Sequence, residues 1–490
     1  MKEIVMRAGL DIGNGYVKGQ CQNGVTGEVI KIDVPSCAAY VTNPHDIKVE
    51  PDQVPLMVED IFDNLDATFD TPVIKDSNRR LFGRRALLSG LTVEEFDVYS
   101  HISKANQDLS GILVIGCIAG AALKYHYKET GSLPAGNMKV RVNLALALPI
   151  REYKKYREDY AGKLKRASHY MTIHNFNDRI RVEIVFDDVS VVAEGASAQY
   201  AIAAKGVDFA NALLNDCRKY TPLEGITGED VIKATTTIGI DIGEGTANLP
   251  VFQNGKFNPD VSMTFDKGYG SVLNAALDRL QDEGSPFRSR KELADYLQTP
   301  PSAIKRTTYN RVKGIVEEEM VSYVNELRMY FVKVMSKVGA FVEVVYIYGG
   351  GATPLQFLLY PVLIDTMRQF NTEFPILYLD SRYSRYLNRE GLFYITGFSS
   401  SGAKTQTVKE PAGVTQQSSL ETASWEEQDR TQSETEQVSH SMTVEEDVVP
   451  TSSEMELRNQ ILMDEQQDGG SKQAADGDGL YYGIDKDAFL

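Results

Sequence analysis

Apolar residues follow two different periods along the first 400 positions of the chain. The runs "VRVNLALALPI" (140–150) and "RIRVEIVFDDVSVV" (179–192) are rich in β-branched and aliphatic residues and read as strands, while "REYKKYREDYAGKLKRA" (151–167) between them has helical spacing. That alternation predicts an α/β unit over residues 1–210. The connector "LEGITGED" follows, and a second series starts at residue 231: a strand ending in "TTIGIDIG", a hairpin into "TANLPVFQNGKF", a long helix over 309–339, the strand "VEVVYIY" and a helix over 354–370. Both series open on the same device, because "GLDIGNGYVKG" (9–19) and "GIDIGEGTANL" (239–249) share Gly, apolar, Asp, Ile, Gly, any residue, Gly. A strand and turn repeated at the heads of two α/β units predicts a duplicated fold whose halves face each other. Ligands on open α/β sheets bind beyond the carboxyl ends of the strands, so the two turns converge on a cleft.

Composition bounds this picture. The chain has 490 residues, 42% hydrophobic and 24% charged, enough for a two-lobed soluble core. No run of about 18 apolar residues is evident, so no membrane is expected. The start "MKEIVMRAGLDIG" lacks the order of a signal peptide. The four cysteines show no CxxC spacing, so a zinc site or a disulfide framework is not expected and a reducing, cytoplasmic location is. Net charge is −17, but residues 399–490 hold 6 basic against 19 acidic residues and account for −13 of it. That stretch is rich in Ser, Thr, Gln and Glu and is expected to be a disordered acidic tail. Within it, "SSEMELRNQILMDEQQ" has the makings of a short partner-binding helix, Ser453 and Glu456 being spaced as a capping box. The nearly neutral remainder makes direct nucleic-acid binding an unfavoured expectation, since phosphate neutralisation dominates that affinity.

In the first turn, Asp11 ends an apolar strand, Gly13 and Gly15 flank Asn14, and Lys18 returns seven residues later. Glycines allow backbone amides to face an anion closely, and a lysine supplies a point charge for phosphate. Taken alone, Asn-Gly between two apolar runs is a hairpin signal. The second turn adds chemistry. Asp241 ends the equivalent strand, Gly243 and Gly245 flank Glu244, and Thr246 adds a hydroxyl. Two carboxylates facing one polyphosphate would repel it unless a divalent cation lay between them. Magnesium (Mg2+), which keeps most of its waters, suits Asp11 and Asp241 held through those waters. A third glycine run, Gly349, Gly350 and Gly351 in "YIYGGGATPLQFLLY", follows a strand and precedes a helix, where backbone can lie flat against a nucleoside. No GxxxxGK[ST] loop occurs. Glu194, where "VSVVAEGASAQYAIAAK" turns from strand to Ala-rich helix, is placed to accept a hydrogen bond from a water aimed at a terminal phosphate; complementing the helix dipole is the plainer role for it.

The ordered set "GLDIGNGYVKG", "VAEGASA", "GIDIGEGTANLPVF", "YIYGGGATPL" and "YLNREGLFYITG" resembles the phosphate 1, connect 1, phosphate 2, adenosine and connect 2 motifs of the actin-like ATPase superfamily. Within that superfamily it is most similar to ParM-type and archaeal actin-like filament proteins. The resemblance implies a duplicated ribonuclease H-like fold: domain I over 1–210 rejoined by 381–398, domain II over 231–380, and the tail beyond. It implies ATP with magnesium as cofactors, Asp11 and Asp241 as the magnesium-water and phosphate carboxylates, and Lys18 as the phosphate lysine. Glu194 would position the hydrolytic water, and Gly349–Gly351 would form the adenosine loop. One departure is visible: Asn248 stands where many members have a second aspartate, which would slow hydrolysis.

The function implied is an ATPase that polymerises with itself into filaments and segregates plasmid or other DNA through a DNA-binding adaptor. A metabolite kinase of the same superfamily would need an Asp-bearing catalytic loop, and Glu194 suits water better than a substrate hydroxyl. A chaperone-like ATPase would need a peptide-binding module beyond residue 398, which the tail's composition does not build.

Overall fold

The apolar run Ile4–Ile12 becomes an interior strand, third from one edge, of a sheet with ten strands among the described residues. The computed structural model describes residues 3–44, 48–97, 102–220, 223–370 and 374–399. The expected acidic tail, with the segment "SSEMELRNQILMDEQQ" (452–467), lies outside them. Ile4–Ile12 runs parallel to Met138–Leu148, which is parallel in turn to Ile180–Ala193, while Tyr16–Asn23 returns antiparallel on the other side. Parallel strands covered on both faces need near-continuous apolar runs, which is how these segments read. Alternate residues sort by size. Leu144, Leu146 and Leu148 face a core shared with the helices Asp108–Thr130 and Ile150–Lys165, whereas Ala145 and Ala147 face Leu392 of the helix Leu387–Ser399. Small residues let that last helix lie close: a Cβ added to Gly9 would clash with the backbone at Phe393. The chain's final described helix therefore returns to the first sheet.

One expectation is corrected. The helix Asp108–Thr130 is long and apolar enough to cross a membrane on length and composition, yet 89% of its apolar window is buried inside the fold. Its glycines seat neighbouring side chains, with Phe82 on Gly116 and Phe62 on Gly120. It is the central core helix of the first half.

The second sheet, of seven strands among the described residues, is built around Thr237–Ile242. That strand runs parallel to Val344–Tyr348 and antiparallel to Ala247–Leu249 and Val251–Gln253. The helices expected over 309–339 and 354–370 occupy Arg306–Val338 and Ala352–Gln369. Alternation again divides the faces. Val345 and Ile347 pack against those two helices, while Val344, Tyr346 and Tyr348 pack against Ala196–Cys217. The helix that follows the first sheet's strand Ile180–Ala193 thus covers the second sheet, and residue 210 lies within it. Both crossing segments, 194–197 and 384–391, pass between the two sheets, and the site is assembled where they cross. They press tightly together, because a Cβ on Gly391 would clash with the Ser197 carbonyl.

Candidate functional site

The two turns close in the same way. Gly13 N–H donates to the Tyr16 carbonyl at 3.0 Å, and Gly243 N–H donates to the Thr246 carbonyl at 2.9 Å. Asp11 sits opposite Lys18 across its hairpin, and Asp241 sits opposite Asn248 across the other. The tips interlock. A Cβ on Gly15 would overlap the Glu244 carboxylate, and one on Gly245 would overlap the Asn14 amide, so each tip accommodates the other's middle residue only because its own is glycine. Gly349, in the left-handed region at φ 98°, has no room either: an added Cβ would lie 2.6 Å from Asp241 Oδ1. All fourteen residues expected at the site line one cleft of about 740 Å³: Asp11, Gly13, Asn14, Gly15, Lys18, Glu194, Asp241, Gly243, Glu244, Gly245, Thr246, Gly349, Gly350 and Gly351.

Three buried acids gather at its floor. Asp11 is 7% exposed, Asp241 6% and Glu194 8%. Burial, reinforced by the charges of Asp11 and Glu194, pushes Asp241 up to about 7 despite the hydrogen bond that Asn388 Nδ2 donates to its Oδ2 at 2.7 Å. Burial also raises Asp11, with Lys18 opposing and Glu194 adding to the shift. Glu194 has a cation of its own. Lys104 Nζ donates to Oε1 at 2.8 Å, and Asn248 Nδ2 donates to Oε2 at 3.1 Å. Burial alone would lower the Lys104 ammonium, but Glu194 outweighs it and holds the group above its ordinary value.

Lys104 and Asn388 line the cleft and Tyr348 is buried behind it, and the motifs assigned a role to none of the three. Lys104 starts a short turn ahead of the core helix, in a segment without a recognisable pattern. Asn388 lies inside "YLNREGLFYITG", and position within that motif was the available signal. Its Oδ1 accepts from Ser197 Oγ at 2.7 Å and from Gly195 N–H at 3.2 Å, so one amide joins both crossing segments to Asp241. Tyr348 adds a bond from its hydroxyl to the Gly195 carbonyl at 2.8 Å. Asn248, noted as a departure, is a junction: besides donating to Glu194 it accepts from Thr264 Oγ1 at 2.9 Å and from the Ile150 amide at 3.3 Å. An aspartate there would face Glu194 as a like charge.

The donor set suits a magnesium ion. Burial shifts the carboxylates of the two strand ends upward by taking them out of water, and a dication between them would favour their ionised forms. Among the described residues no three His, Cys, Asp or Glu groups form an ion cage, so the remaining ligands would be waters and phosphate oxygens, as magnesium prefers. The sign of the pH dependence follows. Asp241 ionises near 3.8 when unfolded and at about 7 when folded, so the metal-free protein loses stability as pH rises across that window and stays penalised above it. Asp241→Asn keeps an acceptor for Asn388 and removes the charge. Its melting temperature is expected to match wild type near pH 4 and to exceed it by several degrees at pH 8, with magnesium and nucleotide abolishing the gain. A gap that does not change with pH would contradict the buried ionisation.

Residues 9–196 match a family described as the N-terminal domain of actin like proteins. Comparison with curated protein sequences finds no match. Among solved structures the chain is similar to Bacillus thuringiensis ParM with ATP, at 15% identity and a TM-score of 0.50, over 81% of this chain and 99% of that one. It is also similar to an archaeal actin homolog at 13% identity and a TM-score of 0.51, over 80% of this chain and 99% of that one. A non-polymerisable quadruple mutant of pCBH ParM gives 15% identity and a TM-score of 0.52, again over 80% and 99%.

Proposed function

We propose that the chain, whose residues 9–196 match the N-terminal domain of actin like proteins and whose fold is similar to that of Bacillus thuringiensis ParM, binds ATP with magnesium in the cleft, hydrolyses it, and assembles into dynamic filaments. The observation that carries this reading is the meeting of two glycine turns, two strand-end aspartates and Glu194 in one cleft. The turn-closing bonds consume the Gly13 and Gly243 amides, leaving those of Asn14, Gly15, Glu244 and Gly245 to face phosphate oxygens. Lys18 adds a charge, and Gly349–Gly351 offer flat backbone to the nucleoside. Asp11 and Asp241 would hold magnesium through its waters; when bound, the ion neutralises charge building on the phosphoryl oxygens. Glu194, held in place by the hydrogen bond from Lys104, accepts a hydrogen bond from the attacking water and orients it. That ATP is the nucleotide is supported by the similar fold of Bacillus thuringiensis ParM with ATP.

Assembly rests on a head-to-tail contact that does not close, the kind of interface that gives filaments. Hydrolysis would loosen the bridge between the halves and destabilise that contact. The cargo in this reading is plasmid or other extrachromosomal DNA in the cytoplasm, attached through a DNA-binding adaptor. Pelleting and light scattering of the full-length protein with ATP, with ADP and without nucleotide test it. Sedimentable polymer is expected with ATP and magnesium, and less with ADP. Turnover without polymer in any of the three conditions would overturn the filament reading and leave an ATPase of another kind.

A further inference from the structure

The middle residue of the first turn is neutral, Asn14, but that of the second is acidic. Glu244 reaches across the cleft to lie against Gly15 of the opposite turn, and its Oε1 forms an ion pair with Arg290 Nη2. Arg290 opens the helix Arg290–Gln298, and both side chains line the cleft. A carboxylate therefore sits between a glycine turn and a guanidinium, the surroundings a phosphate would seek. The pair is partly exposed, with side-chain exposures of 29% for Glu244 and 40% for Arg290, so it is weak and exchangeable. The Glu244 backbone is held separately: its carbonyl accepts from Gly270 N–H at 2.9 Å, and the Gly243 carbonyl accepts from Tyr269 N–H at 2.9 Å. The side chain can leave without moving the turn.

We propose that Glu244 is a displaceable internal anion, which latches the cleft before nucleotide enters by lying against Gly15 and pairing with Arg290, and that the incoming polyphosphate expels it and takes over Arg290. This rests on the cleft being a nucleotide site. Arg290 then becomes a phosphate ligand held in reserve, because guanidinium pairs with phosphate through charge-assisted, bidentate bonds. Glu244 sets the cost of entry, since a like charge beside phosphate opposes binding until it swings away.

Two measurements on the full-length protein decide it. In nucleotide-free Glu244→Gln, amide hydrogen exchange at residues 13–16 and 243–246 is expected to accelerate about threefold while the strands leading into the turns stay protected. By calorimetry, ADP and inorganic pyrophosphate should each bind Glu244→Gln about tenfold more tightly than wild type, and Arg290→Gln about tenfold more weakly. Unchanged exchange, or equal or weaker binding by Glu244→Gln, overturns the latch. Pyrophosphate that tightens in Glu244→Gln while ADP binds no form of the protein would overturn the nucleotide reading and support the latch.

Discussion

Asp241→Asn is expected to leave the fold intact and to cut magnesium-dependent ATP turnover by at least about 100-fold, the usual loss when a preorganised electrostatic contact is removed from a phosphoryl-transfer site. The substitution is close to isosteric. An asparagine oxygen still accepts from Asn388 Nδ2, which donates to Asp241 Oδ2 at 2.7 Å, so the junction of the two crossing segments stays tied. What disappears is one of two carboxylates that come from the ends of the strands leading into the two glycine turns. With Asp11 alone, the magnesium requirement should shift to higher concentrations, and nucleotide binding should weaken less than turnover does. The same variant is expected to be the more stable protein at pH 8 without metal, since Asp241 is a buried acid pushed up to about 7. Gain of stability together with loss of turnover identifies a residue strained for chemistry; turnover within about threefold of wild type would remove Asp241 from the mechanism.

The parts of the site that can be read in the sequence are those written locally. Asp11 with Lys18, Asp241 with Asn248, and the glycines around Asn14 and Glu244 are each confined to a hairpin of eight residues, where strand pairing and φ/ψ limits fix geometry within the segment. Glu194 is legible as well, because a strand running straight into a helix places the junction at a sheet end. The partners that hold its carboxylate are not. Lys104 comes from 90 positions upstream and Asn248 from 54 downstream, and only the packed fold brings them to within 3.1 Å of its oxygens. Asn388 reaches Asp241 over 147 positions. The architecture divides in the same manner. Two α/β series could be read from periodicity, but the packing of Ala196–Cys217 on the second sheet and of Leu387–Ser399 on the first depends on which faces are left uncovered. The core helix Asp108–Thr130 shows the limit from the other side: composition fits a membrane span, and its burial decides otherwise. The family match covers residues 9–196, so the second half of the site stands on geometry, on the repeat of the first turn's bonding in the second.

Glu194→Gln is expected to bind ATP and assemble, but to release phosphate on the order of 100-fold more slowly, the loss typical of a removed general-base or water-orienting group. Filaments should then persist longer, because the ATP-bound contact is not dismantled. A complication lies in the ion pair. Lys104 and Glu194 are both buried, their side chains 8% and 11% exposed, so neutralising Glu194 leaves an ammonium without its partner and destabilises the protein by about 3–5 kcal/mol. Slow turnover could then reflect a loosened fold. The double variant Lys104→Met, Glu194→Gln separates the two causes, because it removes the orphaned charge, and replacing a buried pair by uncharged groups of similar volume is often neutral for stability. Thermal unfolding should therefore show the single variant well below wild type and the double variant largely restored. Single-turnover phosphate release should stay slow in both, since neither has a carboxylate to hold the water. Turnover that recovers along with stability in the double variant would show that Glu194 serves only to neutralise Lys104, and the water would have to be oriented by another group.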